Sequence, residues 1–257
     1  MLIGIDNRAD DATAISTDSE MAALPVANLV NEHVGRKWRT AAGITAAYAI
    51  FDLGASLDCA LLGLLGTNLT PTGTVRVRAS DADPTVVGTL LRDTGVLAGA
   101  AKEGYGAIYK SFTTAAARYW RVDLSDPAVA EGYLSVGRIF LGPAWATSVP
   151  QLFDWAPVTI DASLVRRSYG GQSYTDQRPK RRGLMFVLDY MAEAEMYGNA
   201  FRIGWEKGVS GDVLAIPDIA GAYLSEQAVF GQLQANEPLF HRLPQIYRQK
   251  FTVIERL

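Results

Sequence analysis

The side chains able to do chemistry are few and scattered along the 257 residues. Ser173 and Ser210 lie near glycines, yet neither completes the G-x-S-x-G turn that would expose a nucleophile. The two histidines, His33 and His241, are far apart in sequence, and Cys59 is the single cysteine. Without C-x-x-C or H-E-x-x-H there is no dense nitrogen and sulfur donor set for zinc, which leaves only oxygen-ligated calcium open. No G-x-x-x-x-G-K-[ST] cradle exists, and Gly104-Tyr105-Gly106 lacks the rest of a dinucleotide fingerprint. Asp81 with Asp83 and Glu193 with Glu195 are close carboxylate pairs, but acid-base work needs them in a cleft. The first pair sits in a turn beside Pro84, and the second suits a helix start. The expectation is a protein without catalytic residues, cofactor or metal.

What the chain offers for binding is aromatic and basic. Tyr169 and Tyr174 flank Gly170-Gly171, and Arg178, Lys180, Arg181 and Arg182 follow. Such a run can serve an anion or nucleic acid, a solvated loop, or a contact with a neighbouring subunit. Charge balance argues against nucleic acid: residues 1–150 hold 12 Lys+Arg against 15 Asp+Glu, and residues 151–257 hold 12 against 12. The subunit contact is therefore the reading taken, with Tyr169, Tyr174, Arg178, Lys180, Arg181 and Arg182 as its residues. Of the tryptophans, Trp38 and Trp120 sit in apolar strand contexts and read as core. Trp145 and Trp155 suit an interdomain or intersubunit contact. Cys59, inside Cys59-Ala60-Leu61-Leu62, reads as a buried structural thiol.

These residues must be held by a mainly β fold. Thr74 to Ala79 alternates Val75 and Val77 with Arg76 and Arg78, the signature of a half-buried strand. Further strands are predicted at Ala49 to Leu53, ended by Gly54, and at Cys59 to Leu65, Ile108 to Phe112, Tyr119 to Leu124 and Leu134 to Leu141. Many short strands with turn residues between them favour a β-sandwich. Pro143 to Pro150 combines two prolines with small residues and reads as a boundary, so two domains are expected to meet between about Gly142 and Phe153. Beyond it come a flexible turn at Ser168 to Tyr174, a central strand Leu184 to Leu188, and one helix from about Met191 to Lys207. In that helix Ala192, Met196, Ala200 and Ile203 form the apolar stripe, widened by Tyr197 and Phe201. Strands follow near Val213 to Pro217, Ala228 to Gln234 and Tyr247 to Glu255. The apolar region Ile44 to Gly66 is broken by Asp52, Asp58 and glycines, so no membrane insertion is expected. The start, Met1-Leu2-Ile3-Gly4-Ile5 followed by Asp6, Arg8, Asp10 and Asp11, has neither the basic head nor the apolar stretch of an export signal.

One pattern goes further. Leu24-Pro25-Val26-Ala27-Asn28-Leu29-Val30-Asn31, Arg36-Lys37-Trp38-Arg39-Thr40 and Ile50-Phe51-Asp52-Leu53-Gly54, with the later Ala117-Arg118-Tyr119-Trp120-Arg121-Val122 and Gly137-Arg138-Ile139-Phe140-Leu141-Gly142, resemble the galactose-binding-like, discoidin-type sandwich. It departs from that pattern at Asn31-Glu32-His33 and at Arg138. The resemblance implies a jelly-roll sandwich over residues 24–145, preceded by an N-terminal strand or arm over 1–23. It also implies glycan-binding loops carrying Asn31, Glu32, His33 and Arg36 on one side and Asp81 and Asp83 on the other.

The region after the boundary, 153–257, resembles the small β-rich ring-forming domain with one helix found in tail proteins of long-tailed bacteriophages. Taken together, the two resemblances imply a distal or minor tail protein, assembled in the host cytoplasm into the virion. Its partners would be further copies in a ring, six-membered by that resemblance, together with tail tube and baseplate hub proteins. The alternative is a carbohydrate-binding protein that recognises host surface polysaccharide through the sandwich. A glycan-active enzyme is disfavoured, because only about 105 residues follow the boundary.

Overall fold

The computed structural model describes residues 1–99, 106–148, 155–221 and 223–256. Gly104 and Tyr105 lie outside them, as does the stretch 149–154 of the expected boundary. The chain is mainly β and divides into two compact units. The first comprises Leu2–Trp145 and Asp218–Glu226; the second comprises Ala146–Pro217 and Gln227–Leu257, together with Met1.

The strands of the first unit are β1 (Leu2–Gly4), β2 (Ala14–Thr17), β3 (Trp38–Arg39), β4 (Ala46–Leu65), β5 (Thr74–Ser80), β6 (Arg92–Asp93), β7 (Leu97–Ala98), β8 (Ile108–Ser125), β9 (Ser135–Val136) and β10 (Arg138–Gly142). The main sheet has the order β10-β4-β8-β5-β6, with β2 also on β4 and β7 on β5. All these pairings are antiparallel. Register puts Ala49, Val122 and Val77 in one row across β4, β8 and β5, and Phe51, Trp120 and Ala79 in the next. Both rows are buried, so period-2 alternation sends the intervening residues to the opposite face. The core they build also takes in Val26 and Leu29 of the 3₁₀ turn Val26–Val30, with Leu134, Val136, Ile139 and Leu141.

Two departures from the sequence reading have local causes. The segments expected as separate strands, Ala49 to Leu53 and Cys59 to Leu65, are parts of the single strand β4, and Ile108 to Phe112 joins Tyr119 to Leu124 in β8. Gly54 does not end a strand. It takes φ +74° where the β4–β8 register shifts between Asp52 and Leu57, a conformation glycine adopts without strain. Trp38 is fully buried, as expected of a core residue, and its Nε1 donates to the Ser19 carbonyl at 3.1 Å.

After β11 (Trp145–Ala146), the second unit contains β12 (Ala156–Ile160), β13 (Leu164–Arg167), β14 (Ser173–Asp176), β15 (Arg181–Ala192), β16 (Asp212–Ile216), β17 (Val229–Leu233), β18 (Phe240–Leu243) and β19 (Ile246–Glu255). Its strands run antiparallel in the order β16-β17-β19-β15-β12, with β18 also on β19. β15 lies between β19 and β12, and both of its faces are covered: Leu184, Phe186 and Leu188 are buried on one side and Val187 on the other, which matches its unbroken apolar run. Phe186 stacks on Phe251 of β19 with centroids 5.3 Å apart. Gly231 is required by close approach, since a Cβ there would lie 1.9 Å from the Ile254 carbonyl oxygen.

The helical stretch occupies residues 193–207, starting as α (Glu193–Glu195) and continuing in π-type turns over Met196–Ala200 and Ile203–Lys207. Met191 and Ala192, expected inside it, belong to β15 and pair with Tyr247 and Ile246. Met196, Ala200 and Ile203 are buried as expected, while Ala192, Tyr197 and Phe201 are exposed. The segment Ser168 to Tyr174, expected as a flexible turn, is the end of a hairpin in which β13 pairs with β14. A hydrogen bond from Gly171 N–H to the Ser168 carbonyl closes its turn at 3.0 Å.

Candidate functional site

The face of the first unit's sheet that points away from the core carries the densest polar constellation described. On β5, alternation turns Arg76 and Arg78 outward beside Asp123 and Arg121 of β8, and on β4 Tyr48 lies opposite Asp123. Together with Asp18, Thr74, Val96 and Ser125 these residues line a cleft of about 300 Å³.

Its geometry is fixed by paired guanidiniums and carboxylates. Arg78 grips Asp123 with two bonds, Nε to Oδ2 at 3.0 Å and NH2 to Oδ1 at 2.8 Å. Arg121 donates to the same carboxylate at 2.9 Å and to the Thr85 carbonyl at 3.2 Å. The Arg121 guanidinium also lies 3.5 Å from the centroid of the Tyr48 ring, within cation–π range. At the cleft's edge Arg76 binds Asp93 in the same forked way, which lowers the Asp93 pKa to about 2. Asp18 accepts the Tyr48 backbone N–H at 3.0 Å. Arg76 is paired with Asp93, Arg78 and Arg121 with Asp123, and Asp18 with the Tyr48 backbone, so the polar groups of the lining are fixed by one another and their charges largely cancel. Planar donors and acceptors beside an aromatic ring can hydrogen-bond a hydroxyl-rich ligand and pack on its apolar face.

The loops expected to bind glycan are placed elsewhere and are not brought together. Asn31 caps its own turn, accepting the His33 N–H at 2.9 Å, and Arg36 N–H closes it on the His33 carbonyl. Glu32, His33 and Arg36 are exposed around Val34, which sits against Gly66 and Gly137. Asp81 instead meets Ser56 at 3.3 Å and the Arg118 N–H at 2.7 Å. Ser56 lies nine residues before Leu65, the end of β4 that Gly66 follows, which is about 30 Å of extended strand. Asp83 accepts from the backbone of Thr85, Val87 and Gly88 and from the Thr85 hydroxyl, bonds that hold its pKa far below the ordinary range. These bonds spend the Asp83 carboxylate on shaping its own turn.

In the second unit Tyr169 stands fully exposed at the tip of the β13–β14 hairpin, and Tyr174 is exposed on β14. The basic residues near it are largely occupied. Arg178 pairs with Asp176 at 3.3 Å and Lys180 with Asp161 at 3.7 Å. Arg182, expected to face a neighbour, turns inward on β15 and grips Glu255 of the adjacent strand β19, while Arg181 opens β15 opposite Ile160. Among the described residues no group of three or more His, Cys, Asp or Glu converges as metal ligands. No helix among them is long and apolar enough to cross a membrane.

No protein-family model matches the sequence, and no curated protein matches it. Solved structures do. The chain is similar to chitosan-binding module 1 derived from the chitosanase/glucanase of Paenibacillus sp. IK-5, with 18% identity, 53% of this chain and 98% of that one covered, and a TM-score of 0.42. Module 2 of the same enzyme, solved with chitotriose, is 21% identical over 53% of this chain and 99% of its own, with a TM-score of 0.43. The lectin domain of lectinolysin, complexed with Lewis B antigen, is 16% identical over 54% and 96%, with a TM-score of 0.41.

The sequence reading missed Tyr48, Arg121 and Asp123. The alternation of Arg76 and Arg78 was the one signal for this face. A second surface also went unseen: Tyr197, Phe201 and Trp205 follow one another along the helical stretch, with Phe201 stacked on Trp205 at 6.4 Å, and all three are exposed.

Proposed function

We propose that the chain is a non-catalytic carbohydrate-binding protein whose saccharide site is the cleft on the outer face of the first unit's sheet. The observation that carries this reading is the set Tyr48, Arg78, Arg121 and Asp123: a ring flanked by forked hydrogen-bonding groups already locked in position. Groups that need no reordering on binding lose little entropy when a flexible sugar docks. A surface polysaccharide of a host cell is the ligand the sequence resemblance suggests. The full-length chain, screened on a glycan array beside Arg121→Ala and Tyr48→Ala, should bind, and both variants should lose that binding while keeping the wild-type circular dichroism. Equal binding by folded variants would move the site elsewhere.

A second reading, the ring-forming tail subunit, draws support from one feature. The two-stranded hairpin β13–β14 exposes every one of its strand residues, including Leu164, Val165 and Tyr174. Hairpins of that kind are marginal alone in water, and a neighbouring copy would cover this one. Light scattering on the full chain should then show an oligomer that Val165→Asp dissociates; a monomer at all concentrations would end this reading.

A further inference from the structure

β15 loses register with β19 between Leu188 and Met191, so Asp189 and Tyr190 together face Arg248. Tyr190 takes φ +60°, a left-handed conformation that a bulky side chain adopts only under constraint. The constraint is visible. Asp189 is 3% exposed, and one oxygen accepts the Tyr190 N–H at 2.9 Å while the other binds the Arg242 guanidinium. Arg248 forms an ion pair with the same carboxylate at 3.8 Å, outside hydrogen-bond distance, so its donors are not spent on Asp189. Both arginine side chains are nearly half exposed.

The surroundings add charge and rings. Two guanidiniums share one carboxylate, and Lys250, exposed two residues along the same face of β19, adds a further positive charge. Tyr190 is exposed with the Arg242 guanidinium 5.2 Å from its ring centroid, and Phe240, exposed on β18, is the register partner of Arg248. A row therefore crosses the sheet as Tyr190, Arg248 and Phe240, with Arg242 beside Tyr190. A bulge needs only one arginine to neutralise Asp189.

We infer that Tyr190, Arg242, Arg248 and Phe240 form a second binding site, on the second unit, for an acidic saccharide whose carboxylate the two arginines receive. Forked guanidiniums match a carboxylate, and rings on either side supply faces for the sugar carrying it. The identification of the ligand as a saccharide rests on the carbohydrate-binding reading, while the site is separate from the cleft around Arg121.

The test titrates the full-length chain with polygalacturonate, dextran and inorganic phosphate at low and high salt. Polygalacturonate should bind, less tightly at high salt. Arg248→Gln should weaken that binding by about tenfold or more, the scale set by losing one charge-assisted contact, and Tyr190→Gly, which removes a ring face, should weaken it as well. Tyr190→Gly relieves the backbone strain, so its thermal stability should not fall, which separates lost binding from lost fold. Wild-type affinity in Arg248→Gln, equal binding of dextran, or binding of phosphate without polygalacturonate would each overturn the inference. No binding of polygalacturonate at either salt concentration, with array binding intact, would overturn this site and leave the cleft reading standing.

Discussion

Arg121 and Tyr48 are diagonal neighbours across β4 and β8, and the guanidinium lies 3.5 Å from the centre of the phenol ring. The contact joins the residue that reaches Asp123 to the ring that would support a sugar, so neither is free to turn away. Pre-positioning of this kind follows from sheet alternation alone: the inward partners Ala47, Ala49 and Val122 are core, and the residues between them must point out.

Trp38 supplies a core prediction. It is fully buried beneath the first unit's sheet and its indole N–H is bonded to the Ser19 carbonyl. Trp38→Ala should cost about 3–5 kcal/mol of that unit's stability, read as a lower urea midpoint for its unfolding. A shift under about 1 kcal/mol would show the site to be less tightly packed than described.

How much of this was legible in the sequence follows from what each residue's neighbours reveal. Val75 and Val77 against Arg76 and Arg78 show a strand and its two faces without any structure. The matching faces of β4 and β8 are masked, because Ala46, Ala47 and Ala49 give no hydrophobic contrast and pair with residues more than seventy positions away. Gly54 reads as a strand end, yet its freedom at positive φ serves a bulge within the strand. The 173–176 strand is exposed on both sides, so it carries no apolar period to read. Ala192 matches the helical stripe and Met191 stands where the helix is expected to begin, but their pairing with Ile246 and Tyr247 holds both in β15.

Acid should weaken the cleft's edge. Arg76 holds the Asp93 pKa at about 2, below its value in an unfolded chain near 3.9. A carboxylate with a lowered folded-state pKa contributes stability that is complete above about pH 4 and lost as the pH falls through about 2. Asp93→Asn should therefore flatten the dependence of the urea midpoint on pH between those values. An unchanged slope would show that the pair contributes nothing measurable.

Two glycines should respond oppositely to alanine. At Gly231 the new Cβ would overlap the Ile254 carbonyl, so Gly231→Ala should destabilise the second unit by about 3 kcal/mol or more. Gly198 lies in the helical stretch with open space at its Cβ, and Gly198→Ala should stabilise by about 0.5–1 kcal/mol. Thermal unfolding of the two variants in one buffer checks both signs.

The most direct measurement is a calorimetric titration of the full-length chain with the best glycan from the array, repeated with Arg121→Ala. We expect binding by the wild type and a loss of about tenfold or more in the variant, which deletes the guanidinium packed on Tyr48 and one of the two arginine partners of Asp123. Identical affinity in a folded Arg121→Ala protein, or no heat with any glycan, would contradict the account.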